Sequence, residues 1–133
     1  MYLIDTNVFL ELLLDQEKAD ECEKLLGKIL EGRVNAAATE FTIHSVQGTL
    51  ADNPETIKRF LESVNSTINI QILETEMEEE IIISQYSKES SLCFDDALQY
   101  TVAQRENIEK IISYDTDFDN TDLKRVEPEE LLG

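Results

Sequence analysis

Four short apolar runs, at residues 2–5, 34–38, 69–73 and 110–113, are separated by stretches in which apolar residues recur every three or four positions. Runs of four or five residues are too short to make a helix and suit buried strands, whereas a 3.6-residue period marks an amphipathic helix. The first gap carries Val8, Phe9, Leu12 and Leu13, then a stripe of Ala19, Cys22, Leu25, Leu26, Ile29 and Leu30 that stops at Gly32. In the second gap Thr39 opens a helix with Ile43, Val46 and Leu50, and Asn53-Pro54 starts another with Ile57, Phe60, Leu61 and Val64, an N-cap residue followed by proline at the first helical position. The third gap offers Thr75 and Glu78 at capping-box spacing before Ile81, Ile82 and Tyr86, and then Asp95 or Asp96 as cap of a helix with Leu98 and Val102. A pair of helices between successive strands lets the chain return to the same end of a sheet, so the strands run parallel. The expected fold is an α/β sandwich, a mostly parallel central sheet of four or more strands flanked by helices, formed by residues 1–133 as one domain.

A parallel sheet ends all its strands on one edge, and ligands bind beyond those carboxyl ends. Acids stand there in this sequence. Asp5 closes the first strand, Glu40 follows the second, Asp115 and Asp117 follow the fourth, and the helix beginning at Asp95-Asp96 starts from the same edge. Clustered carboxylates repel one another and take up protons unless a cation intervenes. Oxygen donors without a Cys or His set favour Mg²⁺ or Mn²⁺ over zinc or copper. Such a site suits phosphodiester hydrolysis, with water as nucleophile.

The sequence has 29 acidic and 11 basic side chains, a formal charge of −18, which excludes binding to nucleic acid through a broad basic surface. Lys58-Arg59 and Lys124-Arg125 are adjacent basic pairs and read as solvated surface. Two cysteines without metal-site spacing, and apolar runs far short of a bilayer, lead us to expect a reduced, cytoplasmic protein that does not enter membranes.

Four stretches together resemble the motifs of PIN domains, in particular the VapC-type toxin ribonucleases: Leu-Ile-Asp5-Thr6-Asn7-Val-Phe-Leu-Glu, Thr39-Glu40-Phe-Thr-Ile-His44-Ser-Val, Phe94-Asp95-Asp96-Ala97-Leu-Gln-Tyr and Ile-Ser113-Tyr-Asp115-Thr-Asp117-Phe118. The resemblance runs in order along nearly the whole chain. It implies a Mg²⁺- or Mn²⁺-dependent endoribonuclease acting on single-stranded or structured RNA, a homodimer, and a small antitoxin as partner. Carried over by position, Asp5, Asp96 and Asp115 match the family's metal-binding acids and Ser113 the polar residue beside them. In many toxin relatives the second acid is a Glu about one turn inside the helix after strand two. Here Glu40 opens that helix and His44 lies one turn on. The expected site is therefore Asp5, Glu40, Asp96 and Asp115, with Asp117 as a further metal ligand.

Each of these residues also has a plainer reading. Asp5 can cap the first helix, one of Asp95 and Asp96 can cap a later one, Asp115 or Asp117 can hold an Asx-turn, and a lone His44 beside apolar residues is commonly structural. Asp115, Asp117 and Asp119 mimic the start of an EF-hand loop, but Asn120 and Val126 stand where its glycine and bidentate acid belong. Two other functions fit parts of the pattern: a PIN-like interaction module that does not cut, favoured by the −18 charge, and a metal phosphatase using Asp115-Thr-Asp117.

Overall fold

The computed structural model describes residues 1–133. The chain runs β1 (Tyr2–Ile4), α1 (Thr6–Leu13), α2 (Ala19–Leu30), β2 (Ala36–Thr39), α3 (Glu40–Thr49), α4 (Pro54–Ser66), β3 (Ile70–Leu73), α5 (Met77–Glu89), α6 (Phe94–Arg105), β4 (Lys110–Ile112) and β5 (Lys124–Val126), with 3-10 turns at Thr116–Asn120 and Pro128–Leu131. The sheet order is β3-β2-β1-β4-β5, and every pairing is parallel. The α/β sandwich expected from the helix pairs is the fold observed.

Both faces of the sheet are covered, which explains why its strands are apolar without a break rather than alternating. Leu3, Ala37 and Ile111 sit in register across β2, β1 and β4 and join Ile83, Leu98, Val102 and Phe118 in the core under α5 and α6. Ile4, Ala36, Ala38 and Ile112 point the other way, against Val8, Phe9, Leu25, Val46 and Phe60 of the first four helices. The alanines of β2 are all fully buried, so small side chains let helices approach that strand closely from both sides.

Several local signals hold. Asn53 caps α4 by accepting from the Thr56 amide at 3.3 Å, and Thr39 caps α3 by accepting from the Thr42 amide at 3.0 Å. Gly32 adopts φ 76° just beyond α2, where the left-handed turn lets its amide and that of Arg33 satisfy the Ile29 and Lys28 carbonyls.

Three expectations need correction. The capping box of α5 lies one residue later than Thr75/Glu78. Glu76 is the cap and Glu79 its reciprocal partner, while the Thr75 hydroxyl donates to Glu80 instead. Neither Asp95 nor Asp96 caps α6: Cys93 is the N-cap, and both acids lie inside the first turn, facing the helix dipole. Lys124-Arg125 is not merely solvated surface, because it forms the edge strand β5. Arg125 is largely covered there, donating to Asp119 at 2.9 Å, Glu127 at 2.7 Å and the Ser113 carbonyl at 3.2 Å.

Candidate metal centre

The chain steps outward from β1 through β2 to β3, then crosses back so that β4 lies on the other side of β1. At such a reversal the two flanking connections leave in opposite directions and open a crevice at the carboxyl ends of the strands. Asp5 and Ser113 sit in that crevice, each immediately after its strand. Helix α6 brings Asp95 and Asp96 to it, and the loop after β4 brings Asp115.

One carboxylate oxygen from each of Asp5, Asp96 and Asp115 lies within 4.8 Å of the others. Asp5 and Asp96 are buried and Asp115 is half-buried. None of the three takes part in an ion pair. Asp5 is held by neutral donors. Its Oδ1 accepts from the Thr6 amide at 2.7 Å and Gln99 Nε2 at 2.8 Å, and its Oδ2 from Ser113 Oγ at 2.6 Å and Asn7 Nδ2 at 3.1 Å. Asp5 is thus both the cap of α1 and a member of the cluster, so the two readings of the sequence coincide. Ser113 Oγ also accepts from the Asp115 amide at 2.9 Å and from Asn7 Nδ2 at 3.2 Å, tying the β4 loop to the start of α1. Asp96 Oδ2 is buried and has no hydrogen-bond partner.

The electrostatics follow from this crowding. Burial raises the Asp5 carboxyl above the ordinary aspartate range, opposed by the hydrogen bonds from Ser113, Gln99 and Thr6. Burial, and then the charge of Asp5, push Asp95 up to about 6. Asp96 is pushed up to about 7, first by burial and then by the charge of Asp115. A group of acids with raised proton affinity, one carrying an orphaned buried oxygen, is compatible with a cation among them.

Other expected site residues are not among the acids that meet within 4.8 Å. Asp117 is exposed, and its amide donates to Asp115 Oδ1 at 2.9 Å, an Asx-turn that shapes the loop. Asp119 is occupied by Arg125. Glu40 is half-buried at the start of α3 and His44 exposed one turn on. Both line a groove of about 560 Å³ with Gln47, Asn65 and the apolar residues Ile43 and Leu61. The tie between that helix and the crevice is the hydrogen bond from Thr6 Oγ1 to Thr42 Oγ1 at 3.1 Å. Sequence reasoning missed Gln99 and the bridging role of Asn7. The available signal for Gln99 was its spacing, four residues after Asp95, which puts both on one face of α6.

A parallel sheet that gathers buried carboxylates at its switch point, with neutral donors behind them, defines an α/β domain whose crevice offers hard oxygen donors. The model of the PIN domain family matches residues 2–124, and the chain belongs to that family. Among solved structures it is similar to Mycobacterium tuberculosis VapC20, a sarcin-ricin loop cleaving toxin, with a TM-score of 0.72 and 12% identity over 90% of this chain and 93% of that one. It is also similar to FitAcB from Neisseria gonorrhoeae, with a TM-score of 0.66 and 21% identity over 98% of this chain and 100% of that one. At these identities the likeness is one of fold. No curated protein matches the sequence.

Proposed function

We propose that this chain is a divalent-metal-dependent endoribonuclease that hydrolyses RNA phosphodiester bonds, acting in the cytoplasm as the toxin of a type II toxin–antitoxin pair. The observation that carries this reading is the convergence of Asp5, Asp96 and Asp115 within 4.8 Å, with Asp96 Oδ2 unpartnered. Membership of the PIN family and the fold shared with a toxin that cleaves the sarcin-ricin loop support it. The donor set fits Mg²⁺ or Mn²⁺, since all three groups are carboxylates. These residues would hold the cation, which when bound supplies an activated water and charge neutralisation at the scissile phosphate.

The chain's own part is to aim those carboxylates and, at Asp5, to oppose with hydrogen bonds the rise in proton affinity that burial causes. Thr6 N–H, Asn7, Ser113 and Gln99 fix both oxygens of Asp5. The Asp117 amide takes Asp115 Oδ1 and so turns that carboxylate toward the crevice. Glu40 is proposed as the site's further acid, and with His44 it lines the groove alongside, where the RNA would lie. An antitoxin and a second copy of the chain are the proposed protein partners. Met77, Ile81 and Ile82, exposed together on α5, are the kind of apolar face such contacts cover. No helix is long and apolar enough to cross a membrane.

Single-turnover cleavage of a structured RNA with Mn²⁺, with chelator, and with Asp115→Asn tests the proposal. We expect cleavage by the wild type to require the metal and to fall by orders of magnitude in the variant. A variant as fast as the wild type would remove Asp115 from the site. A wild type that binds RNA without cutting under any metal would favour the interaction module, the reading to which the −18 charge lends weight.

A further inference from the structure

Gln99 is fully buried, yet it is neither one of the clustered acids nor part of the apolar core. Its side chain enters the crevice from α6, one turn below Asp95 and Asp96. A single amide nitrogen spends its two hydrogens on two carboxylates from different parts of the chain, Asp5 Oδ1 at 2.8 Å and Asp95 Oδ1 at 3.1 Å. The amide oxygen has no partner at all. This orientation of the amide is the one the surroundings dictate, because reversing it would aim the oxygen at two acceptors.

A buried amide with an unsatisfied oxygen costs stability, and an apolar side chain of the same length would fill the space without that cost. What the amide does there is hold apart and aim two acids that otherwise repel. Asp5 leaves β1 and Asp95 leaves α6, and no other side chain bonds to both. Ser113 restrains Asp5 from the end of β4 and Asn7 from α1, neither of them from α6. Without Gln99, apolar packing remains but no side-chain hydrogen bond ties the end of β1 to the first turn of α6, which also carries Asp96.

We infer that Gln99 is a positioning residue for the acidic triad: its amide bridges Asp5 and Asp95 so that the carboxylates of Asp5 and Asp96 meet at cation-binding distance. The inference rests on the metal-dependent reading above and names a residue outside the ligand set. Groups that orient metal ligands change affinity by roughly 10- to 100-fold when removed.

The test is Mn²⁺ titration by isothermal calorimetry of wild type, Gln99→Met and Gln99→Ala, with melting temperatures recorded in chelator. Gln99→Met keeps the length of the side chain and removes both donors. It is expected to weaken Mn²⁺ binding at least tenfold while melting at or above the wild-type temperature, a pairing that a purely structural glutamine would not give. Gln99→Ala should lose the same affinity and also melt lower, because it leaves a cavity. Binding by Gln99→Met within twofold of wild type would overturn the inference and leave the proposed function standing. A wild type that takes up no Mn²⁺ would overturn both.

Discussion

Asp96→Asn should stabilise the metal-free protein, by an amount that depends on pH. In the folded chain this carboxyl titrates at about 7, pushed up by burial and by Asp115, whereas in an unfolded chain it titrates near the ordinary aspartate value of 3.8. Between those values the folded state holds a proton that the unfolded state has released, so stability falls as pH rises through the window. The penalty is absent below about pH 4 and complete above about pH 7. A difference of roughly three pH units corresponds to a ceiling of about 4 kcal/mol. Asp115 is half-buried, so solvent screens their repulsion and about half of that ceiling is expected. Asn also forgoes the favourable placement of a negative charge at the start of α6, about 0.5 kcal/mol. The net gain is about 1 to 2 kcal/mol, a rise of several degrees in melting temperature for a domain of this size.

Urea unfolding followed by circular dichroism, in chelator at pH 4.5 and 7.5, measures the effect. The variant should be the more stable protein at pH 7.5 and nearly equal to wild type at pH 4.5. With saturating Mn²⁺ the order should reverse, since ligand at a hundred times its Kd adds about 2.7 kcal/mol to a protein that binds it. An Asn variant no more stable at pH 7.5, or equally advantaged at both pH values, would show that the triad carries no electrostatic strain.

Mn²⁺ should raise the melting temperature of wild type in a saturable way and that of Asp5→Asn far less, as thermal scans across metal concentration would show; equal rises would mean that the cation only screens the −18 charge. Gly32→Ala should cost about 1 to 2 kcal/mol in urea unfolding, because φ 76° disfavours any Cβ and the new atom would stand 3.4 Å from Asn69 Nδ2, which donates to the Ile29 carbonyl.

The sequence by itself determined the order of strands and helices, the parallel sheet they imply, and the caps at Thr39, Asn53 and Gly32. Each rests on spacing within a few residues, which a chain displays whatever it packs against. It also placed Asp5, Asp96 and Asp115 at the sheet edge where the structure finds them, because a residue next to a strand end must travel with that strand. Tertiary structure decided the rest. Strand β5 has only Lys124, Arg125 and Val126 and no apolar run, so its pairing with β4, and the burial of Arg125 against Asp119 and Glu127, exist only once β4 is in place. Asp115 joins the triad while Asp117, two residues on, turns its amide inward and leaves its carboxylate in solvent, a choice made by the rotation of a short 3-10 turn. The bonds that bring Gln99 and Ser113 to Asp5 span 94 and 108 residues. Nothing in local periodicity encodes contacts of that range; they are fixed by how the switch point folds β1, α6 and β4 against one another.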